Sequence, residues 1–197
     1  SGKPILANDT HIAFAQPSVW YEAHLECPGF KIYGNFLAGT PVPALGHSDK
    51  GGWGITMFEN DDADFYHEKP NPQNAGQVWY KDHWEDLQTR KETIKVKGKP
   101  DHILEVKKSR HGYIMNGIMD DVKDYSDPIA LWWVYYQFPS RHMQVFYNLS
   151  HAGDVHEAAL AVEPLTAPGL NFMWADTAGN IGWWAAGKIP ARPPHVN

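Results

Sequence analysis

A serine at position 1, a histidine at position 11 and an acidic knot at residues 60–64 are the side chains here whose types could do chemistry. A serine with a free α-amine carries its own base beside a hydroxyl, the pairing that acyl transfer through a covalent intermediate requires. A neutral imidazole at His11 could polarise such a hydroxyl, while its bland reading is a structural hydrogen-bonder at a strand end. Asn60-Asp61-Asp62-Ala63-Asp64 gathers oxygen donors on one tight turn, which suits a hard cation such as calcium, but it lacks the glycine and closing glutamate of an EF-hand loop. The plain alternative is a solvated acidic turn. Eleven histidines invite zinc, yet there is no His-Glu-x-x-His, no Cys-x-x-Cys, and no pair at ligand spacing beyond the loose His151 and His156. No Gly-x-Ser-x-Gly elbow, Walker loop or dinucleotide fingerprint occurs either, which removes three common enzyme classes.

The elements that must position these groups are mostly strands. Short apolar or β-branched runs bounded by Pro, Gly, Asn or Asp predict strands at Lys3–Ala7, Trp20–Cys27, Gly52–Phe58 and Gln77–Lys81. The alternation of residues 92–97, the turn Gly98-Lys99-Pro100-Asp101 and the run 103–106 predict a hairpin with one solvated face. Residues 129–138 are almost wholly apolar, the pattern of a central strand covered on both sides and ended by Pro139. Ser140 is placed to cap a helix through Met143, Val145, Phe146 and Leu149, and Asp154 a second one through Val162. Residues 172–186 read as a hairpin turning at Ala178-Gly179-Asn180. No internal repeat and no linker divides the chain.

Composition bounds the partners. The 197 residues are 43% hydrophobic and 20% charged, an ordinary globular balance, with 13% aromatic and nine tryptophans demanding broad apolar contacts. A net charge of −6 with dispersed basic residues argues against nucleic acid or an anionic membrane as partner. Cys27 stands alone, so no internal disulfide can form, and it leaves cytoplasm against periplasm open. No apolar run reaches the roughly 18 residues that span a bilayer.

Two long signatures then narrow the reading. Ser1-Gly2-Lys3-Pro4-Ile5-Leu6-Ala7-Asn8-Asp9-Thr10-His11 resembles the strand after the nucleophile in the large chain of penicillin-acylase-type N-terminal-nucleophile hydrolases. Asn171-Phe172-Met173-Trp174-Ala175-Asp176-Thr177-Ala178-Gly179-Asn180-Ile181-Gly182 resembles a hairpin of the same chain. Gly46-His47-Ser48-Asp49 before Gly52-Trp53-Gly54 is similar to the family's Gly-His-Asn and Trp-Gly segment, with Ser48 where Asn is usual; Trp20-Tyr21-Glu22-Ala23-His24-Leu25, Pro28-Gly29 and Arg110-His111-Gly112 add to the likeness, which is weaker from His83 to Ser140.

The resemblance implies an α+β, β-rich chain with the four-layer αββα N-terminal-nucleophile hydrolase fold, incomplete here, residues 1–197 forming part of the large-chain domain. It places the nucleophilic serine about a dozen residues upstream of Ser1 rather than at Ser1. It implies catalytic support from His11 and the backbone N–H of Met57, an acyl pocket bordered by Ile12, Ile55, Phe146 and Leu170, and a structural calcium held by Asp61, Ala63 and Asp64. No organic cofactor is implied. The implied partners are a small (alpha) chain from the same precursor and an acyl-amide small molecule, and the implied location is periplasmic or secreted. Ile55, where penicillin G acylases carry a small polar residue, opens the pocket to an aliphatic acyl chain as readily as to phenylacetyl. The rival is a non-catalytic aromatic-rich binding or structural domain, marked by a large exposed aromatic patch.

Overall fold

A computed structural model describes residues 2–139 and 141–194. Its strands are β1 (Trp20–Cys27), β2 (Phe30–Leu37), β3 (Leu45–Ser48), β4 (Gly51–Met57), β5 (Ala63–His67), β6 (Pro70–Asn71), β7 (Asn74–Tyr80), β8 (His83–Asp86), β9 (Gln88–Ile94), β10 (His102–Lys108), β11 (Tyr113–Ile114), β12 (Ile129–Trp133), β13 (Leu170–Asp176) and β14 (Ile181–Ala186). Three helices, α1 (Val134–Gln137), α2 (His142–His151) and α3 (Val155–Val162), fall between β12 and β13. The β-rich α+β expectation is met. The chain forms two compact units, residues 1–62 with 138–197, and residues 63–137.

The first unit is one six-stranded sheet in the order β1-β2-β3-β4-β13-β14 with α2 and α3 packed on one face. β13 shows why: Leu170, Phe172, Trp174 and Asp176 are buried, while Asn171, Met173 and Ala175 between them are half-buried, the period of two that a pleated strand imposes. Phe172 and Trp174 meet Trp53 of β4, Val145, Phe146 and Leu149 of α2, and Ala158 and Val162 of α3 in one core. Each fully buried large side chain there contributes roughly 1.5–3 kcal/mol of apolar transfer. α3 is capped as its sequence predicts, since Asp154 accepts from the Glu157 N–H at 2.8 Å.

The second unit holds a five-stranded sheet, β5-β12-β11-β10-β9, and a three-stranded sheet, β6-β7-β8. The expected 92–106 hairpin is β9–β10, running in register from Gln88↔Lys108 to Ile94↔His102.

Three expectations are corrected. The run 129–138 is not a single strand: β12 stops at Trp133 and the chain turns helical at Val134. An unbroken apolar run suits a buried strand and a buried helix equally, and period alone cannot find the switch. Residues 3–7 join no ladder, because they lie over the face of β4 instead of at its edge. The helix expected from Ser140 begins at His142 with Arg141 at its N-cap and no side-chain cap bond; Ser140 itself, like Ser1, lies outside the described residues. Among the described residues no helix is long and apolar enough to cross a membrane.

Candidate functional site

The free edge of β4 is where the sequence-predicted groups meet structure. Among the described residues β3 pairs with β4 only at Gly46↔Trp53 and His47↔Gly52, so the later part of β4 has a strand neighbour there on one side, β13. Phe58 N–H donates to Gly169 O, and in an antiparallel ladder hydrogen-bonded pairs alternate, so Ile55 and Met57 direct their N–H groups away from β13. Asn8 confirms the direction: its Oδ1 accepts from the Ile55 N–H at 2.6 Å. The Met57 carbonyl accepts from Asn171 Nδ2 at 2.9 Å, and Asn171 Oδ1 accepts from Trp183 Nε1 at 3.2 Å. Between these two held groups, the Met57 N–H points outward.

Glycine makes this approach possible. A Cβ at Gly54 would stand 2.7 Å from Asn8 Oδ1, and one at Gly52 would stand 3.0 Å from Leu6 Cδ2. With no Cβ at either position, the leading segment lies flat on the sheet face opposite the helices. Beneath it opens a cavity of about 650 Å³ lined by Lys3, Asn8, Tyr33, His47, Trp53 and Asp176 among others. Ser48, where the family pattern has Asn, closes the β3–β4 turn: its Oγ accepts from Lys50 N–H at 3.1 Å and Gly51 N–H at 3.4 Å. A hydroxyl satisfies the same turn amides that an Asn carboxamide would.

Asp176, at the base of the β13–β14 turn, is buried and takes hydrogen bonds from Asn180 Nδ2 and from the Asn180 N–H at 2.9 Å. The Asn180 side chain first, then the turn amides, hold its carboxyl below the usual carboxylate range. The second signature thus includes a charged turn clamp.

The remaining predicted residues separate into three places. Ile55, Phe146 and Leu170 come together: Ile55 pairs with Phe172 across β4–β13, Leu170 pairs with Met57, and Phe146 lies 6.1 Å from Phe172 ring to ring. Phe146 and Leu170 are buried, so in this chain the group is core. His11 and Ile12 lie on the leading segment, exposed to solvent. Asp61 is paired with Arg192, Oδ1 to Nη2 at 3.0 Å, while Ala63 and Asp64 open β5 opposite Trp133 and Trp132. Hard oxygen donors are the right class for calcium. Among the described residues no three His, Cys, Asp or Glu converge to hold a metal ion, and Asp61 is engaged with Arg192.

Asn8 and Asn171 are the functional candidates that residue-type reasoning passed over. Both sit inside the two signatures, yet a neutral amide carries no charge or nucleophile to draw notice.

Comparisons with known proteins bear on what this edge serves. A family model described as penicillin amidase matches residues 1–197. The acyl-homoserine lactone acylase QuiP of Pseudomonas aeruginosa is 30% identical over 98% of this chain and 24% of its own length. Penicillin G acylase of Escherichia coli is 25% identical over 96% of the chain and 22% of its own length. Among solved structures, the thermostable penicillin G acylase from Alcaligenes faecalis superposes with a TM-score of 0.79 at 27% identity, covering 92% of this chain and 32% of that one. The chain therefore spans about a quarter of the length of the curated relatives it matches.

Proposed function

The chain belongs to the penicillin amidase family and has its N-terminal-nucleophile hydrolase fold, and from that membership we propose that the whole protein hydrolyses an acyl amide through an N-terminal serine lying outside this chain. The serine attacks the amide carbonyl, negative charge develops on its oxygen, the amine leaves, and water hydrolyses the acyl-enzyme. This chain supplies support. The Met57 N–H donates to the developing oxyanion, and His11 polarises the serine hydroxyl.

The single observation that carries this reading is the outward Met57 N–H, held between Asn8 and Asn171 on an edge of β4 that no strand covers among the described residues. A preorganised backbone donor is what acyl transfer needs, and removing one such donor costs about 10²–10³ in kcat. Ile12, Ile55, Phe146 and Leu170 border the acyl pocket; the nearness of the last three to one another supports an apolar acyl group, and relatives named acyl-homoserine lactone acylase favour an aliphatic chain. The small chain of the same precursor completes the enzyme, a reading supported by the name of a relative from Pseudomonas sp., penicillin acylase 2 proenzyme, 27% identical over 98% of this chain and 24% of its own length. The location we propose is periplasmic or secreted, a reading that rests on family resemblance alone. Calcium, with Asp61, Ala63 and Asp64 contributing, would be structural and would require the Asp61–Arg192 pair to open; no step depends on it.

A non-catalytic aromatic binding domain is the second reading, favoured by Ile181 and Trp183, which are 75% and 67% exposed. Expression of the complete gene decides between them. Two chains, the larger beginning with serine about a dozen residues before Ser1, together with hydrolysis of acyl amides, is the expected result. An uncut precursor without amidase activity sinks the catalytic reading in favour of the binding domain.

A further inference from the structure

The geometry assigns Asn171 the role of positioning residue for the Met57 oxyanion donor, with Trp183 locking its orientation; this rests on the reading of Met57 above. An amide side chain can turn over, exchanging donor for acceptor. The Trp183 indole N–H can only donate, and it lies 3.2 Å from Asn171 Oδ1. That fixes Oδ1 toward Trp183 and forces Nδ2 toward the Met57 carbonyl, 2.9 Å away.

The consequence falls on one peptide segment. Phe58 N–H is tied to Gly169 O at 3.0 Å and Ile55 N–H to Asn8 at 2.6 Å, so with the Met57 carbonyl also held, the backbone is fixed on both sides of the Met57 N–H. A donor pinned this way needs no reorganisation when charge appears on the substrate oxygen. Near the end of an edge-exposed strand the same amide would otherwise sample several tilts.

The signatures separate positioning from mere stability. In the complete enzyme, Asn171→Ala is expected to lower kcat by about 10- to 100-fold with KM within about twofold, because a misaimed donor weakens the transition state and not the bound substrate. An alkylboronic acid, whose serine adduct places a charged oxygen at the donor, should lose affinity by the same factor, while the carboxylic acid product should bind unchanged. Trp183→Phe, at an exposed position that tolerates substitution, should show the same pattern at about 3- to 10-fold, and Trp183→His, which keeps a ring N–H, should recover most of it. Full kcat and boronate affinity in Asn171→Ala and Trp183→Phe overturns the inference, as does a fall in product affinity that matches the fall in kcat. Met57→Pro, assayed alongside, separates the two layers: inactive Met57→Pro with active Asn171→Ala overturns the positioning role alone. Full activity in both removes the donor reading and this inference with it.

Discussion

The two units of this chain solve the same problem with different materials. In the first, Trp53, Trp174, Phe36, Phe172, Ile32, Leu149 and Leu165 are fully buried, and stability comes from apolar surface between a sheet and two helices. In the second, Val134 is the one comparably buried large side chain among the described residues, and polar contacts on aromatic faces do more of the holding. Arg110 lies 3.6 Å above the Tyr80 ring while its guanidinium grips Glu85 through two nitrogens; His111 stacks on Tyr66 at 4.1 Å and bonds the buried Glu68 through Nδ1 at 2.9 Å. Apolar burial carries no charge for pH to titrate or salt to screen, whereas a charged clamp answers to both. The groups proposed for catalysis stand on the unit whose stability is the less conditional.

The comparison can be broken at its strongest point first. Phe172→Ala should cost about 3–5 kcal/mol in chemical denaturation of the complete protein, since a large cavity would open where β13 meets α2. His111→Ala should come next, at about 1–3 kcal/mol, because it leaves the buried Glu68 carboxylate without its partner. A loss from His111→Ala equal to that of Phe172→Ala would erase the distinction between the units.

Smaller effects should appear only as pH dependence. Asp176 has its carboxyl held low in the folded protein, so its contribution is present above the ordinary carboxylate value of 3.8 and is lost as pH falls through the folded value. Asp176→Asn should therefore flatten the acid limb of the melting curve, its loss relative to the parent being present at neutral pH and vanishing as pH falls through the folded value. His83 moves the opposite way: Asp82 first, then Glu85, raises it, so its contribution is present below the ordinary histidine value of 6.5 and fades as pH rises through the folded value. His83→Gln should remove that slope at low salt, and at 1 M salt the variant and parent should coincide. A His83 effect surviving high salt would show that the second unit relies on more than its exposed charges.

Much of this was legible in the residues, for local reasons. The β9–β10 hairpin follows from strict alternation around Gly98-Lys99-Pro100-Asp101, the α3 start from an Asp three residues before a Glu, and the β13–β14 hairpin from Ala-Gly-Asn between aromatic runs. What stayed hidden depends on contacts far apart in sequence. Gly52 and Gly54 are recognisable as a motif, yet the reason for them is Leu6 and Asn8, more than forty residues earlier. The β12-to-α1 switch inside one apolar run has no local mark, and neither unit boundary does, since Phe138 continues the hydrophobic texture of Tyr135 and Tyr136. At the candidate site, Met57 was found by family likeness, and its side chain gives no hint because the backbone is the working group.

The second unit interrupts the first, and that order has a temporal cost. β4 finds β13 only after the 112 residues 58–169 have been made, which at ribosomal speeds of about 5–20 residues per second is several seconds or more. During that interval β1 to β4 form an antiparallel meander whose apolar face has neither helix to cover it, while the contiguous segment 63–137 already contains all its own strand partners. Vectorial synthesis therefore favours completion of the inserted unit first, and the nascent meander, with Phe36 and Trp53 uncovered, is the stage of this chain's life at which a chaperone has most to bind.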